Sequence, residues 1–296
     1  MIIVNINGGL GNQMFQYALG KALSINKNTD LTLYTKEVSN RNDHNGFELH
    51  NVFNTTSAVA TDTERKSVLG MRHPHNIIKL LRSKKIGFLR GKHYIVENHF
   101  HYDKQIEDIN RRVFLRGFWQ SEKYFSAHRQ AILKEFSFKN KLSDKNLKAA
   151  KKIQEITSVS IHVRRGDYIS NPGASKTFAS LSAKYYQKAL KKLNIDPIKT
   201  LLVFFSDDTD WVEKNIINQL SKDYHHMIVS HNIGSESYND MRLMSLCSHN
   251  IIANSSFSWW GAWLNTTPGR KVIAPKNWFL TDKSTVNLYP NDWIKI

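Results

Sequence analysis

The sequence predicts an α/β protein of two domains facing a cleft. Three observations carry that prediction. Apolar runs of strand length alternate with helical patterns through the second half, the signature of βα units and a parallel sheet. The chain opens on an apolar run, Ile2 to Ile6, that meets a Gly-rich turn and then a helical pattern. Its 296 residues suffice for two domains of ordinary size.

Taken in order, a strand at 2–6 is followed by a helix from about 12 to 26 and a strand at 31–35. Residues 36–64 are polar and irregular, with Asn, Asp and Thr clusters that favour turns. Residues 65–92 form a basic block with apolar Ile77, Ile78, Leu80 and Leu81 among the charges. That block reads either as an amphipathic helix on an anionic membrane or as the solvated face of a core-packed helix. The aromatic stretch Trp119 to Phe125 closes the first domain's sheet, and a charged helix at roughly 126–155 carries the boundary. The domains are accordingly 1–150 and 151–296, with room for the last residues to pack back onto the first. In the second half, strands fall at 158–164, 199–205, 226–230, 250–253 and, last, 271–274. Helices fall between them at 182–194, 209–221, 236–248 and from Ser255 through Leu264.

Composition narrows the class. With 41% hydrophobic and 23% charged residues the chain is globular rather than disordered. A net charge of +17 favours an anionic partner, whether nucleic acid, a sugar nucleotide or an anionic membrane face. Nucleic acid is disfavoured, because the basic residues are spread along the chain and no helix-turn-helix or RNA-binding signature occurs. Cys247 is the sole cysteine, which excludes an intrachain disulfide and fits a reducing cytosol. No apolar run approaches the roughly 18 residues of a spanning helix. Met1 to Ile6 is too short for a signal peptide and lacks a basic start. The expectation is a cytoplasmic protein, attached at most to the inner face of the membrane.

Four constellations can carry chemistry. In Gly8-Gly-Leu-Gly-Asn-Gln13, glycines between strand and helix allow close backbone approach to a ligand. The spacing lacks the third glycine of a dinucleotide fingerprint, and no phosphate-loop lysine follows. The bland alternative is a tight turn with Asn12 as helix cap. His162, Arg164, Arg165 and Asp167 stand where an apolar strand ends, the place where open α/β sheets bind ligands. Two arginines there can clamp a phosphate, and strand alternation puts Arg164 on the face of His162 and Arg165 on the other. The alternative is a surface ion pair of small energetic weight. In Ser206-Asp-Asp-Thr-Asp210, Asp208 and Asp210 can hold a divalent metal or cap a helix, and capping is favoured for so short a pattern. Ser255 and Ser256 open a helix whose free N–H groups suit a phosphate, while Trp259, Trp260 and Trp263 have core spacing.

The segments GGLGNQMFQYA, HVRRGDY and NSSFSWWGAWL, in that order and at these separations, resemble the α-1,2-fucosyltransferases of glycosyltransferase family 11, particularly bacterial ones. FWQSEKYF and FSDD also look like family segments, so the resemblance spans nearly the whole chain. It implies a glycosyltransferase-B-like architecture of two Rossmann-like domains, the first on the acceptor side and the second binding GDP-fucose. It implies inverting transfer from GDP-β-L-fucose to the 2-hydroxyl of a galactoside, possible with a lipid-linked glycan as acceptor, and with no metal and no other cofactor. Carried onto this sequence, Arg164 contacts the β-phosphate, and Ser255, Ser256 and the backbone at Phe257 cradle the diphosphate. His162 and His249 lie near the nucleoside, Gly11, Asn12 and Gln13 face the fucose and acceptor, and Arg165 and Asp207 complete the donor site, with a structural part as the alternative for Arg165. Asp167 is the first candidate for the general base, with orientation of Arg164 or Arg165 as its alternative.

Overall fold

The computed structural model describes residues 1–39, 45–70 and 90–296, without the side chains of Asp167, Ser170 and Ala174. Most of the basic block read at 65–92 therefore lies outside the described residues. The chain divides into two compact units, residues 1–139 with 284–288, and residues 140–283 with 289–296.

The first unit holds a five-stranded parallel sheet in the order β3-β2-β1-β5-β4. Its strands are β1 (Ile2–Asn5), β2 (Leu31–Tyr34), β3 (Ala58–Val59), β4 (Tyr94–Val96) and β5 (Val113–Arg116). Helix α1 (Leu10–Lys27) follows β1 directly. Its apolar positions Leu10, Met14, Phe15, Ala18, Leu19, Ala22 and Leu23 repeat at helical spacing and are all buried. Gly20 costs helix propensity of about 1 kcal/mol. Packing requires it, because a Cβ there would lie 2.6 Å from Val4 and 2.7 Å from Leu31. The helix begins at Leu10 with Gly9 as N-cap, so Asn12 is not the cap. Helix α2 (Asp62–Leu69) interrupts the stretch read as irregular, and its start is a complete capping box between Thr61 and Glu64.

The charged helix expected at 126–155 is two helices, α3 (Arg129–Glu135) and α4 (Asp144–Glu155). Phe136 is buried and Phe136 and Phe138 both pack on Phe53, so the chain leaves helical geometry there to insert two rings into the first unit. The boundary accordingly falls between Lys139 and Asn140 rather than at 150. Ser284 to Leu288 return to the first unit, but the final residues stay with the second.

The second unit holds six parallel strands: β6 (Thr157–Val163), β7 (Thr200–Ser206), β8 (His225–Val229), β9 (His249–Ile251), β10 (Val272–Ala274) and β11 (Ile294–Lys295). Their order is β11-β10-β9-β6-β7-β8. Counted within the unit this is 3-2-1-4-5-6 read from the other edge, the order of dinucleotide-binding folds. The sheet does not end at 271–274, since β11 pairs with β10. A short helix α5 (Gly166–Ser170) follows β6, and α6 (Ala183–Leu193), α7 (Thr209–Asn215), α8 (Tyr238–Ser245) and α9 (Ser256–Leu264) cross between later strands. On one face Val159, Ile161, Leu202 and Phe204 pack against Tyr186, Ala189 and Leu193 of α6. On the other, Leu201, Val203 and Phe205 pack against Ala149, Ala150 and Ile153 of α4 and Leu243 and Met244 of α8. Both faces of β7 are thus buried, which explains its unbroken apolar run.

Candidate active site

The strand order places a switch point between β6 and β9. From β6 the chain proceeds to β7 on one side, and β9 leads to β10 on the other. The loops at their carboxyl ends therefore part and leave a crevice, where sheets of this order bind ligands. The two loops here are Arg164–Tyr168 and Asn254–Ser256, so two motifs separated by some ninety residues meet at one edge. They are tied together: the buried Tyr168 hydroxyl donates to the Asn254 carbonyl at 2.9 Å. Tyr168 also stacks on Phe178 at 4.7 Å, and Asn254 Nδ2 donates to the carbonyls of Ala179 and Trp278.

The two arginines have different employments. Arg164 pairs with Asp207 at 2.9 Å and lies over the Tyr168 ring, with 31% of its side chain exposed. Arg165 is held by its own neighbours. Its Nε donates to Asp208 at 3.1 Å, its Nη1 to Ser180 at 3.3 Å, and its guanidinium lies 4.0 Å over Trp211. Its backbone N–H donates to Asp207 at 2.8 Å. These contacts fit the structural reading of Arg165. Asp207 likewise holds both the Arg164 side chain and the Arg165 backbone. Asp208 caps α7 by accepting from Trp211 N–H at 3.1 Å. A Cβ at Gly166 would sit 3.0 Å from the Asp207 carboxylate, so the turn needs glycine for closeness. Among the described residues, no three His, Cys, Asp or Glu side chains gather as a metal site.

His162 is 7% exposed, and its pKa is pushed down to about 4, chiefly by burial, with Asp207 opposing and Arg164 assisting. It is neutral at physiological pH. Among the described residues its Nδ1 is buried without a hydrogen-bond partner, and Phe257 lies 6.0 Å away between ring centres. Across the crevice Ser255 caps α9, its hydroxyl accepting from Phe257 N–H at 3.3 Å. The first turn of α9, with Ser256 and Phe257, carries no acidic side chain, so that turn does not itself offset the positive end of the helix. Trp259, Trp260 and Trp263 are fully buried and stack on one another, so they are core. Each removes about 150–250 Å² from water, worth roughly 4–6 kcal/mol at ~25 cal/mol/Å². That packing anchors the serine end of the helix.

One expected residue of the second unit does not meet this edge. His249 begins β9 opposite Val159, four residues before the end of β6, and its Nδ1 accepts from the Lys271 N–H. It stands at the amino end of the strand, away from the crevice. Gly11, Asn12 and Gln13 lie in the first unit. Gln13 is fully buried, donating to the carbonyls of Gly8 and Gly46 and accepting from Glu48 N–H. Asn12 accepts from Gln120 at 2.6 Å. Burial pushes the Glu48 carboxyl up, with the Asn45 side chain and the Leu10 backbone at the start of α1 opposing it.

One buried acid escaped sequence reasoning. Asp240, in the first turn of α8, has its pKa pushed up to about 7 by burial, against a hydrogen bond from Asn232. Asn232 exchanges hydrogen bonds with Asn146, which also meets His231. Nothing in the sequence marks Asp240, because its environment comes from three separated segments.

The model of glycosyl transferase family 11 matches residues 88–296. The chain is 33% identical to the O-antigen biosynthesis glycosyltransferase WbnK of Escherichia coli, covering 98% of this chain and 99% of that one. It is 34% identical to an Escherichia coli α-1,2-colitosyltransferase, covering 100% and 99%. In structure it is similar to the α-1,6-fucosyltransferase NodZ soaked with GDP-fucose, with a TM-score of 0.54 at 14% identity over 92% of this chain and 94% of that one. That likeness fixes a glycosyltransferase-B-like α/β fold, and with the family match and the full-length relatives it leads to one assignment: the chain belongs to glycosyltransferase family 11.

Proposed function

We propose that this glycosyltransferase moves L-fucose from GDP-β-L-fucose to the 2-hydroxyl of a terminal galactoside, with inversion, to give an α-1,2 linkage in a surface polysaccharide. The observation that carries the donor half is the tie between the Arg164–Tyr168 turn and the Asn254–Ser256 loop at the β6/β9 switch point. The acceptor oxygen attacks the anomeric carbon opposite GDP. The bond from that carbon to the β-phosphate oxygen breaks, and its electron pair leaves with GDP. Arg164 and the amino end of α9 stabilise the charge that gathers there. Neutral His162, with its unpartnered Nδ1, and the Phe257 ring face the nucleoside part of the donor. The acceptor proton passes to a base, for which Asp167 in the same turn is the candidate; its side chain lies outside the described residues.

No metal takes part in this reading, because Asp207 and Asp208 are engaged with Arg164, Arg165 and the α7 cap. The acceptor is a lipid-linked glycan met at the cytoplasmic face of the inner membrane, a reading supported by the O-antigen relative. A second reading has support of its own. The 34% identical relative is a colitosyltransferase, and colitose is fucose without its 3-hydroxyl. Both donors present the same GDP to the same crevice.

A panel of GDP-sugars with galactoside acceptors separates them. The expected result is GDP release and an α-1,2 product from GDP-fucose, undiminished by EDTA. Preference for GDP-colitose replaces the first reading with the second. Loss of activity in EDTA with recovery on Mn²⁺ overturns metal independence.

A further inference from the structure

In the first unit β5 lies parallel beside β1, so the segments after Asn5 and Arg116 leave the sheet at the same carboxyl edge. The turn after β5, Gly117 to Gln120, is built with unusual care. Just past β4, the Glu97 carboxylate accepts the backbone N–H groups of both Phe118 (2.7 Å) and Trp119 (3.0 Å). Gly117 makes room for it, since a Cβ there would lie 2.4 Å from Glu97 Cβ.

Trp119 adopts φ +58, a left-handed conformation that bulky residues avoid. Its ring is 1% exposed and meets Tyr124 edge-on. Burying Trp119 in this way leaves Phe118 38% exposed, beside Trp119, Gln120 and Ser121, which are all buried. On the β1 side, Gln120 donates to Asn12 Oδ1 at 2.6 Å, and Gln16 joins the Gly117 carbonyl to the Asn7 N–H. Two polar atoms of this turn and the adjoining strand end, Trp119 Nε1 and Asn5 Oδ1, are buried without a hydrogen-bond partner. A strained, twice-anchored turn that displays one aromatic ring beside unspent polar groups has the make-up of a sugar subsite.

We propose that the Gly117–Gln120 turn is the subsite for the acceptor's terminal galactose. The Phe118 ring is its stacking platform, and the Asn12–Gln120 amide pair lies beside it for hydroxyls. Galactose suits such a platform, because its axial 4-hydroxyl leaves the C3, C4 and C5 hydrogens together as one apolar face. The inference rests on the galactoside reading of the acceptor, and it lies wholly within the first unit. Glu97 is a positioning residue that acts through the Phe118 and Trp119 backbone.

The test is acceptor kinetics of Phe118→Ala, Phe118→Leu and Phe118→Tyr, with GDP affinity measured alongside. Removing the ring should raise KM for a galactoside acceptor about tenfold, equal to about 1.4 kcal/mol. Leu, which keeps apolar bulk without a π-face, should share the loss, and Tyr should restore most of it. Affinity for GDP should stay within twofold. If the Ala protein does not fold, the Leu protein decides. Wild-type transfer with an unchanged acceptor KM in the Leu variant overturns the platform alone. Wild-type transfer to none of a panel of β- and α-galactosides overturns both the platform and the acceptor reading beneath it.

Discussion

At the scale of residues, two adjacent arginines of one motif are proposed to divide between ligand and scaffold. Arg164 keeps an exposed edge and pairs with Asp207, an ion pair whose energy near the surface is small. Exchanging or sharing that partner with a phosphate is therefore cheap. Arg165 has an ion pair, a hydroxyl contact and an aromatic face, all within its own unit. Removing each should have a different signature. Arg164→Ala should lower turnover by on the order of 10²–10³ while leaving the melting temperature nearly unchanged. Arg165→Ala should lower the melting temperature, because it strips the Asp208 cap of its partner and uncovers Trp211. Steady-state kinetics beside calorimetry distinguishes the two. Near-wild-type turnover in Arg164→Ala would remove the proposed role of that side chain.

At the scale of elements, the second unit was legible and much of the first was not. β6 and β7 run seven residues each, with apolar patterns long enough to read directly. β3 and β4 have two and three residues, too few for alternation to register, and β5 was hidden between arginines. The serine helix, the Arg-Arg turn and the Asp208 cap were all visible as local chemistry. The tie from Tyr168 to Asn254 and the amino-end placement of His249 depend on register and on distant segments, which sequence spacing does not encode. Asp240 belongs to this second group and has a measurable consequence. Its folded pKa, about 7, lies above the ordinary value of 3.8, so the native state holds a proton that the unfolded chain releases. Its contribution to stability therefore declines as pH rises from about 4 to about 7 and stays low above that. His162 runs the opposite way. Its lowered pKa, about 4, means stability is lost as pH falls from about 6.5 toward 4. Asp240→Asn should abolish the first slope alone. Urea denaturation should find the variant more stable than wild type by on the order of 2–4 kcal/mol at pH 8, and by much less at pH 4.5. An equal difference at both pH values would mean that Asp240 is not a buried ionisable group of this kind.

At the scale of the whole molecule, the two units carry two parallel sheets with different chemistry at their carboxyl edges. In the first, an aromatic ring is displayed at the β5 turn. In the second, the first turn of α9 has no acidic side chain, and the turn that carries Arg164 is tied to the loop before that helix. On the proposed reading, anion binding falls to the second unit and neutral-sugar recognition to the first. Ligand-linked stability turns this into an observable, because a ligand stabilises the structure that binds it by RT ln(1 + [L]/Kd), about 2.7 kcal/mol at a hundredfold excess over Kd. Hydrogen exchange with GDP at that excess should slow the amides of β6, the turn at 164–168 and the start of α9 by up to about 100-fold, where they exchange by opening of the second unit. Amides of β1, β5 and the 117–120 turn should exchange at unchanged rates. Comparable protection in both sets would mean that GDP engages the Gly-rich turn of the first unit directly.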